Sequence, residues 1–229
     1  MKSRLLLLLA LLSPPASSHD LWIERSGTLH SLAYGHEQSS HEGIKRLEYK
    51  PESVQQARCF DASGQTIQVT PSQQYPLTLQ ADCAATWFKL SSGYWSKTPY
   101  GTKNLPKNEA DSVIDSWRSV ESIKRIDRWS AALARPLTQD LELVPIDNPL
   151  GLKSGDKLRL RAYFQGKPAA NASVAYFGKP RGVSGADGAI NIRLSQTGFQ
   201  HIEASLALPL NDGKADKTAH TSSLQFEIK

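Results

Sequence analysis

Sulfur is scarce in this chain. Among 229 residues there are two cysteines and one methionine, and the methionine is Met1. With Met1 lost with the leader and the two cysteines paired, as expected below, soft ligands of the kind that favour Cu(I) are lacking and a bound metal is held through nitrogen and oxygen. The motifs of several common chemistries are absent as well: there is no Cys-x-x-Cys, no His-Glu-x-x-His and no Gly-rich phosphate loop. Lysines and arginines are dispersed rather than blocked, which removes the electrostatic case for nucleic acid or a membrane surface as partner. The apolar run from Leu5 to Leu12 is too short to span a bilayer, and no later stretch comes close. Carboxylate pairs such as Glu48 and Glu52 read as solvated side chains. Ser-His-Asp sets can be assembled from any chain with this many serines, so no catalytic constellation emerges.

The first eighteen residues, MKSRLLLLLALLSPPASS, have a basic start, a short apolar run and small residues at Ala16 and Ser18. That pattern predicts a secretory signal peptide over residues 1–18, hence a periplasmic protein with no membrane span in its mature part. Removing 18 of 229 residues leaves 211, and loss of Lys2 and Arg4 leaves 25 basic against 22 acidic side chains, a net charge of +3. In an oxidising compartment the lone pair Cys59 and Cys83 predicts a disulfide. A two-thiolate metal site is the alternative, and no close-spaced Cys or His supports it.

Four of the six histidines fall within HDLWIERSGTLHSLAYGHEQSSHE: His19, His30, His36 and His41. Cleavage after Ser18 would place His19 at a free N-terminus, where the α-amine and ring Nδ1 can close a chelate on one ion. Amine and imidazole nitrogens suit Ni, Cu, Co and Zn. LWIER and LHSLAY read as strands with a turn at Ser26-Gly27, which predicts a hairpin pairing residues whose numbers sum to about 53 to 55. His19 would then face the Tyr34 to His36 region, with His41 on the loop that follows. His30, inside the strand, is explained by ordinary sheet packing.

The remaining chain alternates short apolar strands with turn signals. VQQARCF and IQVT form a predicted hairpin around Asp61 to Gly64, followed by strands in YPLTLQADC and ATWFKLSS. Residues 92–109 hold Tyr94, Trp95 and Tyr100 among Gly, Pro, Asn and Lys, and read as a long loop, either a plain surface loop or a binding loop. SWRSVESIKRIDRW fits a strand better than a helix in this context. The Pro/Gly-rich run from Arg135 to Asp156 reads as an inter-domain boundary, and KLRLRAYFQ, ASVAYFG, INIRL, GFQHIEASL and SSLQFEIK follow as strands. The expected fold is all-β, with two β-sandwich-like domains: residues 19–135, and residues 136–229 as linker plus an immunoglobulin-like sandwich.

HDLWIE after the signal, YGHE, SGYWSKTPYGTKNLPK, LELVPIDNP, GKPAANASV, the SGADG turn and a terminal SSLQFEI preceded by a His occur here in one order. In these the chain resembles a family of bacterial periplasmic proteins described as components of cobalt and nickel uptake systems. The resemblance implies a metal-binding role for His19 and His36, and for His220 behind them. The expected function is a periplasmic binding protein for a divalent transition metal, Ni or Co, free or as a complex, serving uptake beside an importer or outer-membrane receptor; the ion its site could hold is Ni, Co or Cu. The alternatives are a copper-dependent histidine-brace redox enzyme acting on polysaccharide, and a structural or adhesive β-sandwich.

Overall fold

The computed structural model describes residues 20–36 and 45–229, with the side chains of His36 and Lys45 left out of the description. The signal-peptide segment, His19 and His41 lie outside the described residues.

The chain opens with β1 (Asp20–Ser26), β2 (Leu29–His36) and β3 (Lys45–Arg46). β4 (Val54–Phe60) turns back into β5 (Thr66–Ile67), and β6 (Thr78–Gln80) returns to β2. The long β7 (Ala85–Thr98) folds onto β8 (Gly101–Lys103) and pairs with β9 (Asp115–Ile126). β10 (Glu142–Pro145) lies within the Pro/Gly-rich run. The rest comprises β11 (Lys157–Phe164), β12 (Lys167–Pro168), β13 (Ser173–Tyr176), β14 (Lys179–Val183), β15 (Ala189–Arg193), β16 (Gly198–Pro209) and β17 (Lys217–Ile228).

The all-β expectation is met, with sheets packed face to face as in a sandwich. The layout has three layers. A nine-stranded sheet, ordered β14-β13-β16-β17-β9-β7-β4-β5 with β8 beside β7, forms the middle. Alternation along its strands sends successive side chains to opposite faces. Phe88 and Ile123 point to one face, where they pack with Leu21, Ile23, Leu32 and Leu79 of the β1-β2-β3-β6 sheet. Trp87, Ile126, Leu224 and Phe226 point to the other, onto Leu143, Leu158, Leu160 and Ile192 of the β10-β11-β12-β15 sheet. Each fully buried side chain of this size contributes about 1.5–3 kcal/mol.

The middle sheet crosses the boundary expected near Arg135. β17 lies between β16 and β9, antiparallel to the first and parallel to the second, with Lys217 opposite Trp117 and Gln225 opposite Arg125. The strands of residues 19–135 and 136–229 therefore do not form separate sandwiches. The Pro/Gly-rich run is not a free linker either: Leu141, Glu142, Leu143 and Val144 are buried. Prolines and glycines there shape a core crossing, because β10 must enter and leave the sheet sharply. Residues 92–109 also differ from a long loop. β7 runs on to Thr98 after a register shift between Leu90 and Gly93, where Gly93 adopts φ +82°. A bulge of this kind lets an irregular sequence stay in the ladder.

Two covalent and polar devices fix the hairpin layer. Cys59 and Cys83 are disulfide-bonded with Cα atoms 5.3 Å apart, as expected for the lone pair. The side of β1 away from β2 meets side chains rather than a strand. Gln225 Oε1 accepts from the Ile23 amide at 2.9 Å, and Arg125 Nη1 donates to the Ile23 carbonyl at 3.2 Å. The outward amide and carbonyl of Ile23, at the middle of this edge strand, are thereby paired.

Candidate functional site

The β1–β2 hairpin turns at Gly27, whose φ of +62° is one that glycine adopts without penalty. Its ladder runs from Ser26 opposite Leu29 to Asp20 opposite Gly35, every pair summing to 55. This agrees with the expected register. His36 ends β2, and its backbone lies opposite Lys45 of β3.

His30 sits within this hairpin and is fully buried. Its Nδ1 is 2.9 Å from Thr86 Oγ1 and 3.8 Å from Asp127 Oδ2. Burial lowers its pKa below 6.5, and Asp127 acts in the opposite direction. It is a packing residue, in keeping with the expectation from its place in the strand.

His220 is not brought to the hairpin. Along β17, Gln225 bonds β1, whereas His220 has the parity of Leu224 and Phe226, which face the other layer. Its ring lies 4.8 Å from that of Phe164 on β11. Burial lowers its pKa, Asp140 opposing and Lys89 and Arg118 assisting. One residue of strand alternation thus puts His220 on the face of β17 away from β1 and β2.

What the hairpin does cover is a cleft of about 460 Å³. Its roof is Leu21 and Tyr34, a cross-strand pair of β1 and β2. Its floor is the middle sheet. Trp95 of β7 and Trp117 of β9 stand directly opposite each other in the ladder. Ser119 and Glu121 follow on β9, Ala219, Thr221 and Ser223 on β17, and Glu203 on β16. Tyr34 and Glu121 also line a second cleft of about 520 Å³, bounded by Tyr49, Glu52 and Asn104.

The electrostatics of this floor are one-sided. Glu121 accepts a hydrogen bond from Ser119 Oγ at 2.8 Å, yet burial holds its pKa above the ordinary carboxylate value. Burial raises Glu203 too, with His201 opposing and Asp20 and Glu121 adding to the rise. Tyr34 is pushed up to about 12, by burial first and Glu121 second. Among the described residues no lysine or arginine acts on either glutamate. Trp95 stood out in the sequence as an aromatic in an irregular segment. Trp117, Glu121 and Glu203 carried no local signal, because they come together only through pairings between distant strands.

Among the described residues no group of three His, Cys, Asp or Glu is placed to hold a metal, and no cysteine is free. No helix there is long and apolar enough to cross a membrane.

Comparison with known proteins gives one match. The sequence model of a family described as a domain of unknown function, DUF4198, covers residues 16–207. No curated protein and no solved structure matches.

Proposed function

The chain belongs to the DUF4198 family, and for it we propose a periplasmic binding protein for a divalent transition metal. The ligands are the α-amine and ring of His19, exposed as the first residue after signal cleavage, and the ring of His36, with His41 as a further donor. The cargo is Ni(II) or Co(II), free or chelated, delivered to an importer or outer-membrane receptor.

The observation that supports this reading is the hairpin register. Every described pair of β1 and β2 sums to 55, and positions 19 and 36 satisfy the same sum. Nitrogen donors carried by the ends of a braced hairpin would lose little freedom on binding. Amine and imidazole must be deprotonated to bind, so affinity falls as pH falls.

The test is titration of protein with a verified native start against protein carrying one extra N-terminal residue, which converts the amine to an amide. Native-start protein binds Ni(II) or Cu(II) at least tenfold more tightly, about 1.4 kcal/mol, and His19→Ala and His36→Ala each lose at least as much. Equal affinity of the two forms removes the amine from the site.

A further inference from the structure

We propose that the outer face of the β10-β11-β12-β15 sheet is a docking surface for an anionic lipid membrane, held at its headgroup phosphates by Lys157, Arg159, Arg161 and Arg193.

Dispersal along the sequence gives these residues no block of charge; the fold supplies one. Leu158, Leu160 and Ala162 of β11, with Ile190 and Ile192 of β15, are buried against the middle sheet. Alternation therefore turns Lys157, Arg159 and Arg161 outward, and Arg193 with them. Lys157 stands directly opposite Arg193 in the ladder. Opposed side chains lie about 5 Å apart, and alternate residues of one strand about 7 Å apart. Those separations fall within a Debye length of about 8 Å at physiological salt, so the potentials of neighbouring cations add.

The patch is short of anions. Arg159 and Arg161 face Asp147 and Asp187, but those carboxylates are 53 % and 65 % exposed, and ion pairs at such a surface are weak. Among the described residues Lys157 and Arg193 form no ion pair. Arg193 Nη1 donates instead to the Gly155 carbonyl at 2.6 Å, and the Asp156 carboxylate accepts from the Lys153 amide. Like charges directly opposite each other destabilise a ladder, and an external anion relieves this rung. The surrounding segment has the same bias. Residues 146–197 hold eight lysines and arginines against three aspartates, net +5, whereas the rest of residues 19–229 holds 17 against 19, net −2. Asp140 and Glu142, just before the segment, are paired with Lys89 and Lys124 of the middle sheet.

The make-up of the face selects a membrane over a protein partner. Protein interfaces are built around a desolvated core with aromatic and apolar anchors. Here the aliphatic side chains of both strands point inward. Among the described residues the face has one exposed large aliphatic side chain, Ile146, whose amide bonds the Arg159 carbonyl. A flat array of cations with little apolar surface adheres through charge, as basic segments do on anionic leaflets.

The test is flotation of metal-free protein with vesicles of phosphatidylcholine alone, or of phosphatidylcholine and phosphatidylglycerol in equal parts. The protein floats with the mixed vesicles only, and high salt releases it. Lys157→Gln with Arg193→Gln weakens binding by about tenfold or more. That double variant melts no lower than wild type by circular dichroism, because it removes a like-charge rung, so its loss of binding is not a loss of fold. Lys97→Gln with Lys103→Gln, which lowers the net charge equally on the β7–β8 hairpin, leaves binding unchanged. Equal binding to the two kinds of vesicle overturns the proposal, as does an equal loss in the two double variants. Binding of heparin, a soluble polyanion, without any binding to phosphatidylglycerol vesicles overturns it as well and assigns the face to an acidic polymer.

Discussion

Lys124 of β9 and Glu142 of β10 form an ion pair sealed between two sheets, Nζ to Oε1 at 2.5 Å, with 2 % and 1 % of their side-chain surfaces exposed. Glu142 also accepts from the amides of Leu137 and Thr138 and from Thr138 Oγ1. The pair thus pins the Pro/Gly-rich crossing to the middle sheet.

Removing one partner leaves the other charged and buried. Lys124→Ala is expected to cost about 3–5 kcal/mol, read from urea unfolding. Replacing both with apolar residues of similar volume, Lys124→Met with Glu142→Leu, should cost much less than Lys124→Ala alone. A double variant as unstable as the single one would show that Glu142's amide bonds, not the pairing, hold the crossing.

His220 gives a pH prediction. Its folded pKa lies below 6.5 because burial disfavours the charged ring. The unfolded chain therefore takes up the proton first, and stability present above pH 6.5 is lost as pH falls through the folded value. His220→Phe, which keeps a ring against Phe164, should flatten the decline in urea midpoint between pH 7 and pH 5. It should also leave metal affinity unchanged, since residue 220 faces the layer opposite the hairpin. A large loss of metal binding in this variant would put His220 back in the site.

The disulfide predicts a stability loss of its own. Cys59 and Cys83 are 24 positions apart, and closing such a loop is worth about 3 kcal/mol in the chain-entropy model. The Cys59→Ala, Cys83→Ala protein should lose that much in chemical denaturation. Free-thiol assay of denatured, unreduced wild-type protein should find no reactive thiol; two would refute the bond.

Gly188, in the SGADG turn, has φ +77°, and a Cβ there would come 2.4 Å from the Ala162 carbonyl oxygen. Both conformation and space are closed to alanine. Gly188→Ala should destabilise the fold by more than about 2 kcal/mol, whereas Gly178→Ala, which meets no atom within 4 Å, should cost only its strained φ. Equal melting temperatures for the two variants would contradict the contact.

The parts legible in the sequence are those governed by neighbours along the chain. Gly27 announces the hairpin and its register, and alternation in KLRLRAYF or SVAY announces strands. The isolated cysteine pair announces its bond. Pairing between distant segments is another matter. Nothing in SSLQFEIK says that its partner is SWRSVESIK, a hundred residues earlier, and nothing in LELVP says that Glu142 awaits Lys124. The cleft shares that origin: Trp95, Trp117, Glu121 and Glu203 lie on three strands, and only the ladder order makes them neighbours. The face on which His220 lies has the same origin, since which side of a sheet a residue occupies depends on which layers cover it.

The position of β17 has a consequence for biogenesis. The strand spanning residues 217–228 is an interior slat, bonded on one side to β16 and on the other to β9. While those dozen residues are unplaced, β9 and β16 have no common neighbour, and β9's ladder on that side is bare. Assembly of the middle sheet is thus a late event that must join segments a hundred residues apart, the kind of non-local closure that slows folding. A chain lacking residues 217–228 would carry an open seam through the centre of the molecule.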